Sequence, residues 1–269
     1  MSNLTDTHCH LNLSDFQDDL PAVLARAWER GVERILVPGI DIETSLAAVK
    51  IAETDERIYA AAGIHPSSAN TWDDTSLARL EKIASHPKVV AIGEIGLDYY
   101  RDRAPRELQR QVFQRQLELA ASLEKPVSIH IRDSWEDVWI ELRIWQERLV
   151  EANRPLSHHP GALHSFSGTL EEARAALSKG FYLGISGPVT FKNAPIRQEL
   201  VAALPLDRIL IETDAPYLSP HPYRGRRNEP CYTHFIAEKI AKLHHTTYDH
   251  AAAATAANAA RLLAWGAQN

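Results

Sequence analysis

Imidazole and carboxylate side chains occur along this chain at positions that suit metal chemistry. The first are His8 and His10, which flank Cys9. In an extended strand alternate side chains share a face, so the two imidazoles point the same way, about 7 Å apart, and Cys9 points away. Two imidazoles on one face can bind one metal ion. A lone His-x-His pair is a weak indication, however, and needs support from ligands elsewhere in the chain.

Six further side chains of the same kinds lie at or near the ends of predicted strands. They are His65, Glu94, His130, His164, Glu212 and Asp214. A histidine or carboxylate buried in a parallel sheet needs a partner to offset its loss of hydration. One shared metal centre would supply that partner to all of them.

The hydrophobic pattern predicts the strands and helices that carry these residues, because short apolar runs alternate with amphipathic stretches. The predicted strands are Leu4–His10, Arg34–Gly39, Ile58–His65, Val89–Gly96, Pro126–Arg132, Ala162–Ser165, Phe181–Ser186 and Arg208–Asp214. The predicted helices are Leu20–Arg30, Ile42–Glu53, Ser76–Ala84, Arg106–Leu123, Trp135–Glu151, Leu170–Ser178, Ile196–Ala203, Thr233–His244 and Ala251–Leu263. Eight strand–helix units in 269 residues predict an α/β protein, a (β/α)8 TIM barrel, as one domain over residues 1–269.

The barrel prediction carries a positional test. Active sites of this fold collect at the carboxyl ends of the strands. The histidines and carboxylates named above all fall at or near those ends, so we expect them to share one rim of the barrel.

Composition limits the classes of function. With 45% hydrophobic and 24% charged residues the chain is globular. Its net charge of −6 argues against a protein that wraps a long duplex through a basic surface, although a small anionic substrate held by metal remains compatible.

The location of the protein is also an expectation from composition. The two cysteines, Cys9 and Cys231, argue against a disulfide framework and fit a reducing cytosol. The sequence shows neither a leader pattern nor a run of about 18 apolar residues. We therefore expect a cytoplasmic protein without membrane association, and favour a monomer.

Five ordered segments resemble the TatD family of metal-dependent hydrolases, a branch of the amidohydrolase-like barrels. The segments are Asp6-Thr7-His8-Cys9-His10, Gly93-Glu94-Ile95-Gly96-Leu97-Asp98-Tyr99, Pro126-Val127-Ser128-Ile129-His130, His164-Ser165-Phe166-Ser167-Gly168 and Glu212-Thr213-Asp214-Ala215-Pro216-Tyr217-Leu218. Five motifs in order, on a matching predicted fold, are far more specific than any one of them. Many family members are described as deoxyribonucleases.

The resemblance implies a ligand set for two divalent metal ions. His8, His10, Glu94 and Asp214 would hold one ion, and Glu94, His130 and His164 would hold the other. Glu94 would thus bridge the two. Imidazole and carboxylate ligands suit Zn, Mn or Mg, and the sequence leaves the choice among them open.

The same resemblance implies roles in hydrolysis. Two ions would clamp a phosphodiester, activate water and stabilise the leaving oxygen. Asp214 is the candidate general base, Glu212 would support the ligands from behind, and His65 would contact a phosphate oxygen or donate a proton. Arg132 and the loop Arg224–Arg227, with Arg224 and Arg226 in particular, would bind the phosphates of the substrate.

Several residues have a plainer interpretation beside the functional one. His158 and His159, in a proline-bracketed loop, are interpreted as solvated rather than as rival ligands. Asp98 either fixes the loop after the fourth strand or orients a ligand, and the structural role is favoured. Trp135 and Trp139, four residues apart, fit helix packing better than a base-stacking platform.

Two departures from the family pattern bear on the site. Ser67 stands where relatives often have a second histidine after the proline, which puts the role of His65 in doubt. Ser165 stands where many relatives have cysteine, on the opposite side of the strand from His164, so we expect altered packing and unaltered ligation.

The sequence leaves two classes of enzyme open. The first is an exonuclease-like phosphodiesterase or deoxyribonuclease that acts on nucleic acid, at a strand end. The second is an ester or amide hydrolase of another substrate, such as a D-aminoacyl-tRNA deacylase or an enzyme of small esters, because bridged metals also polarise a carbonyl. A narrow closed cup would favour small esters, and an open basic cleft would favour a strand. A non-enzymatic, metal-dependent scaffold is the least favoured interpretation.

Overall fold

Eight parallel strands form the sheet of the structure, a computed structural model that describes residues 3–101 and 103–265. Their hydrogen-bonded order follows the chain from β1 to β8. The strands are β1 (Leu4–Asp6), β2 (Val32–Pro38), β3 (Ile58–Ala62), β4 (Val89–Asp98), β5 (Val127–Arg132), β6 (Gly161–Leu163), β7 (Tyr182–Ile185) and β8 (Ile209–Ile211). The predicted (β/α)8 TIM barrel is confirmed.

Nine α-helices alternate with and come after these strands within the described residues. They are α1 (Leu20–Glu29), α2 (Ile42–Ala52), α3 (Ser76–Ala84), α4 (Arg106–Ser122), α5 (Trp135–Glu151), α6 (Leu170–Ser178), α7 (Pro195–Ala203), α8 (Thr233–Leu243) and α9 (Tyr248–Leu263). Short 3-10 turns cover Ser14–Phe16, Pro66–Thr71, Pro155–His158, Gly187–Thr190, Leu206–Arg208 and Pro230–Tyr232. The predicted helices are therefore confirmed to within a few residues.

The first and last strands close the barrel through backbone hydrogen bonds beyond their formal ends. Thr7 N donates to Ile211 O at 3.0 Å, and Asp214 N donates to His8 O at 2.9 Å. Cys9 and Ala215 then form an isolated parallel bridge. The residues after β1 and β8 are thus held against each other at the carboxyl end of the barrel.

Some predicted strands end earlier than expected. His8 and His10 lie beyond β1, His65 lies three residues after β3, and Asp214 lies three residues after β8. At β1 and β8 the cause is the buried carboxylate of Asp6, which accepts hydrogen bonds from the backbone of His8 at 3.3 Å and of Thr213 at 2.9 Å. These N–H groups are therefore not available to a regular ladder.

Apolar side chains fill the barrel interior. One cluster joins residues of six strands to the end of α9; its members are Leu36, Ala61, Ala91, Ala162, Tyr182, Leu210, Ala259, Leu262, Leu263 and Trp265. Residues of six strands can meet only inside the barrel. A larger cluster packs the helices onto the strands. Of the helices in the described ranges, none combines the length and the apolar character required to cross a bilayer.

Candidate metal centre

Glu94 lies at the centre of the polar residues at the carboxyl end of the barrel. It belongs to β4 and is 3% exposed. Its Oε2 atom lies 3.5 Å from Nε2 of His8 and 3.5 Å from Nε2 of His10. Those two Nε2 atoms are themselves 3.2 Å apart. One carboxylate oxygen therefore faces a pair of converging imidazole nitrogens.

The second oxygen of Glu94 faces different histidines. Its Oε1 atom lies 2.8 Å from Nδ1 of His130, 3.7 Å from Nε2 of His65 and 4.0 Å from Nε2 of His164. His130 lies in β5, and His164 directly follows β6. We call these five histidines, with Glu94 and Asp214, the histidine cluster.

Asp214 lies between two histidines of the cluster. Its Oδ1 atom is 3.6 Å from Nε2 of His10 and 3.6 Å from Nε2 of His164. Asp214 also adopts a left-handed backbone, with φ of 57°, as Ser165 does with φ of 45°. Non-glycine residues in this region carry backbone strain, which persists where the surroundings impose it and which collects at functional sites.

The second ring nitrogens of two histidines are held by neighbours outside the cluster. Nδ1 of His8 lies 3.2 Å from Oγ of Ser128, and Nδ1 of His164 lies 2.9 Å from Oε1 of Glu212. With a proton on Nδ1, each ring in its neutral form would direct the lone pair of Nε2 into the cluster. Partners of this kind orient metal-binding histidines.

Glu212 is accommodated by a glycine on the neighbouring strand. A Cβ at Gly184 would overlap the Glu212 carboxylate. Glu212 also accepts a hydrogen bond from the backbone of Ser165. Its position behind His164 is the supporting position that the sequence predicts for it.

The charges of the cluster shift the pKa values of its members. Burial alone would lower the pKa of His164, but Glu212 and Asp214 raise it to about 10. Burial alone would raise the pKa of Glu94, but the surrounding histidines hold it well below its usual range. Burial alone would also raise the pKa of Asp214, but His164 and His10 hold it below its usual value. Both carboxylates are therefore ionised at neutral pH.

The donor set fits a divalent cation. Nε2 of His8 and Nε2 of His10 lie 3.2 Å apart, so one cation can contact both nitrogens. Nδ1 of His10 is also buried without a hydrogen-bond partner among the described residues. Imidazole and carboxylate ligands suit Zn, Mn and, for the oxygens, Mg. Three groups can each place their ligand atoms within 4.8 Å of one another: His8, His164 and Asp214; His8, His10 and Glu94; His65, Glu94 and His130.

His65 differs from the other histidines in its tautomer. Its Nδ1 accepts a hydrogen bond from the backbone N–H of Ser67 at 3.0 Å. The proton of the neutral ring is therefore on Nε2, the atom that faces Glu94. Burial lowers the pKa of His65 to about 3, so the ring is neutral near pH 7.

Asp98 makes contacts of both kinds that the sequence leaves open, to the loop and to a histidine. It is the last residue of β4, and its Oδ1 accepts hydrogen bonds from the backbone of Tyr100 at 3.0 Å and of Arg101 at 2.9 Å. Its Oδ2 lies 3.3 Å from Nε2 of His130. The carboxylate both fixes the loop and faces a residue of the cluster.

The arginines predicted to bind substrate lie around the rim with different partners. Arg132 ends β5, with its guanidinium 4.0 Å from the ring centre of Tyr100. Arg224 lies 4.6 Å from the ring centre of Phe191, and Arg226 is exposed. Arg227 instead donates to the Asp19 carboxylate at 2.7 and 2.8 Å, so this guanidinium of the predicted loop is already engaged within the protein.

The alternative ligands remain outside the cluster. His158 is exposed on the 3-10 turn before β6, and the ring of His159 lies 5.8 Å from that of Tyr182.

Ser165 Oγ pairs with Ser186 Oγ at 2.8 Å.

Two residues that hold the site were not assigned a role from the sequence. Asp6 binds both Thr213 and the backbone of His8, and burial raises its pKa to about 7. Asn228 donates from its side chain to Thr213 O at 2.8 Å and to Tyr217 O at 2.6 Å. The signal for Asp6 was present, because an aspartate inside a buried strand needs a partner.

Comparison with known proteins gives matches over nearly the whole chain. The family model described as TatD related DNase matches residues 5–264. The uncharacterized metal-dependent hydrolase YabD of Bacillus subtilis is 45% identical over 259 residues, which is 96% of this chain and 98% of that protein. The 3′-5′ ssDNA/RNA exonuclease TatD of Cronobacter turicensis is 40% identical over 263 residues, 96% of each protein. The crystal structure of YJJV, a TatD homolog from Escherichia coli K12, superposes with a TM-score of 0.89 at 31% identity, over 97% of this chain and 98% of that one.

Proposed function

This chain belongs to the TatD family of metal-dependent hydrolases, and on that basis we propose that it removes nucleotides from the 3′ end of single-stranded nucleic acid. Membership supports a hydrolase that acts on ester bonds. The phosphodiester and the direction of attack are inferred from relatives named as 3′-5′ ssDNA/RNA exonucleases.

The proposal extends to two divalent metal ions, for which Glu94 would be a shared ligand. One observation carries it: the two oxygens of Glu94 face different imidazoles, with His8 and His10 on Oε2, and with His130, His65 and His164 on Oε1. A carboxylate so placed can serve two ions at once. In this proposal Asp214 would bind the same ion as His8 and His10. Its Oδ1 atom is nevertheless as close to Nε2 of His164 as to Nε2 of His10.

Bound ions would polarise the phosphodiester and increase the acidity of the attacking water. In this mechanism Asp214, ionised at neutral pH, orients that water and accepts its proton. His65, with its proton on Nε2, donates a hydrogen bond to a phosphate oxygen, whereas its low pKa argues against a cationic acid. Glu212 and Ser128 keep the lone pairs of His164 and His8 directed inward.

The proposal places the rest of the strand along the arginines of the rim. Arg226 is exposed and is the best candidate for a phosphate of the strand. Arg132 and Arg224 are further candidates, each already stacked on an aromatic ring that limits its motion.

The test compares substrates on one purified preparation that has been supplied with Mn²⁺. A 5′-labelled single-stranded DNA should yield a ladder that shortens from its 3′ end, and RNA of the same sequence should behave alike. A D-aminoacyl-tRNA assayed in parallel should keep its ester. Release of the amino acid with an intact oligonucleotide would replace the proposed reaction by the ester hydrolase alternative.

A further inference from the structure

A cavity of about 540 Å³ opens beside the histidine cluster, between the segments that come after β4, β5 and β6. His164 forms part of its wall, so the cavity is continuous with the proposed site of hydrolysis. Its volume lies within the range of about 300–1,000 Å³ that is typical of small-molecule sites.

Aromatic rings form part of the lining of this cavity. Trp135, the first residue of α5, lines it together with Phe166 and Tyr99. The ring of Trp139 stacks on that of Trp135 with an interplanar angle of 6° and centres 5.5 Å apart, and Phe166 meets Trp135 edge-on at 6.3 Å. Trp135 is therefore held on two sides and presents its remaining surface to the cavity.

The charged residues in the lining of the cavity are mainly acidic. The described lining residues include one arginine, Arg106, and four carboxylates: Asp133, Glu136, Asp137 and Glu172. Two of the four are engaged, because Asp137 accepts from Tyr99 Oη at 2.6 Å and Glu172 accepts from the backbone of Thr169 at 2.6 Å. Asp133 and Glu136 are exposed and have no side-chain partner within the described ranges.

The combination of aromatic rings and carboxylates determines which kind of chemical group can bind in the cavity. Carboxylates repel a phosphate, so the cavity is a poor site for the backbone of a strand. A nucleobase is uncharged, stacks on an indole and offers N–H donors to carboxylates.

We propose that this cavity is the subsite for the terminal base of the strand, with the base against Trp135 and the scissile phosphate at the histidine cluster. The inference rests on the proposed exonuclease function. It adds that the enzyme recognises the terminal base of the strand. Trp135 thereby acquires the base-stacking role that its helical spacing alone did not favour.

The test uses two single-stranded oligonucleotides that differ only at the 3′ terminal residue, which is either a normal adenosine nucleotide or an abasic one. Wild-type protein with Mn²⁺ should cleave the normal end with a kcat/KM about tenfold higher, since stacking on one aromatic side chain contributes that order of binding. Trp135→Leu should lose this preference and keep its rate on the abasic end. Trp135→Phe should regain part of it.

Trp28→Leu is the matched control. Trp28 is also half-buried and lies on α1, under the guanidinium of Arg57 at 3.9 Å, away from the cavity. Its variant should keep the wild-type preference. A second readout without turnover is fluorescence quenching by dAMP in EDTA, which should be weaker in Trp135→Leu than in Trp28→Leu.

The outcomes separate the subsite from the reaction. Equal rates on both ends in the wild type, or an unchanged preference in Trp135→Leu, would overturn the subsite and leave the exonuclease in place. Failure of the wild type to cleave either oligonucleotide would overturn the proposed function, and the subsite with it.

Discussion

Two groups of charged side chains in this protein differ in how their charges are satisfied. The first is an arginine network outside the barrel, made of Arg26, Arg227, Asp19 and Glu229, which ties α1 to the segment after β8. Arg26 Nε lies 2.7 Å from Glu229 Oε2, and Arg227 Nη2 lies 2.7 Å from Asp19 Oδ2 and 3.0 Å from Glu229 Oε1. The second group is the histidine cluster.

The contacts in the two groups differ in kind. Each guanidinium of the arginine network meets carboxylate oxygens at hydrogen-bond distance, so its charges are satisfied within the protein. In the histidine cluster, Glu94 Oε1 meets Nδ1 of His130 at 2.8 Å, but Nε2 of His8 faces Nε2 of His10 at 3.2 Å, and several carboxylate contacts are 3.5–4.0 Å. The network is therefore complete as it stands, whereas the ligand atoms of the cluster suit a divalent cation.

Removal of metal should give the largest effect, and only at the cluster. Exhaustive chelation should abolish hydrolysis, while far-ultraviolet circular dichroism still reports a folded protein. Mn²⁺, Mg²⁺ or Zn²⁺ should restore activity to differing extents, because the mixed ligands suit all three. Full activity after chelation would show that the histidine cluster works without a cation. It would contradict the proposed difference between the cluster and the arginine network.

Asp214→Asn should give the next largest effect. The substitution keeps the size and one oxygen but removes the basicity, so we expect kcat to fall about 10²–10⁴-fold with a smaller change in KM. Steady-state kinetics on a single-stranded oligonucleotide measure this. The role of proton acceptor would have to be withdrawn for a variant that kept nearly full kcat with its metal bound.

Glu229→Gln disrupts the arginine network instead. We expect a loss of about 1–2 kcal/mol in the free energy of unfolding, discounted for partial exposure, with little change in kcat. Urea denaturation measures the first and an activity assay the second. A loss of activity larger than the loss of stability would show that the network also serves the site.

The pH dependence of the same variant tests the pairing within the network. Burial would raise the pKa of Glu229, but hydrogen bonds from Arg26 and Arg227 hold it below its usual value. The stabilisation is therefore fully present above the unfolded-state pKa of about 4.3 and is lost as pH falls through the lower folded pKa. The difference between wild type and Glu229→Gln should shrink below about pH 4, and a difference that grows there would contradict the pairing.

Arg226→Ala should give the smallest effect. An exposed phosphate contact is screened by salt, so we expect KM for an oligonucleotide to rise a few-fold at low salt and less at high salt, with kcat unchanged. Arg227→Ala serves as a contrast, because its guanidinium is already bound to Asp19. It should lower stability rather than affinity.

Local pattern was enough to predict the barrel and the residues at its rim. Alternating apolar runs and amphipathic stretches define β4 or α5 within a few residues, and parallel strands bring their ends to one rim. Interactions between distant parts of the chain were not predictable in this way. Asp6 meets Thr213, and Arg227 meets Asp19, across more than 200 residues, and no short-range periodicity encodes either pair.

The tautomer of His65 and the contacts of Asp98 with both the loop and His130 could not be predicted from the sequence, for a related reason. The first depends on the backbone N–H of Ser67, and the second depends on backbone N–H groups of the following loop and on His130 of β5. The sequence supplies the residue types, and only the folded loop decides which atom faces which partner.

Metal content per chain is the decisive measurement for the claim that Glu94 lies between two ions in a cluster that needs them. Elemental analysis after loading with Mn²⁺ or Zn²⁺ and dialysis would be made on wild type, Glu94→Gln and Cys9→Ala, since Cys9 pairs with Ala215 and lies outside the cluster. We predict two ions for wild type and for Cys9→Ala, and a markedly lower content for Glu94→Gln. Equal metal content in Glu94→Gln and wild type would contradict the bridging role.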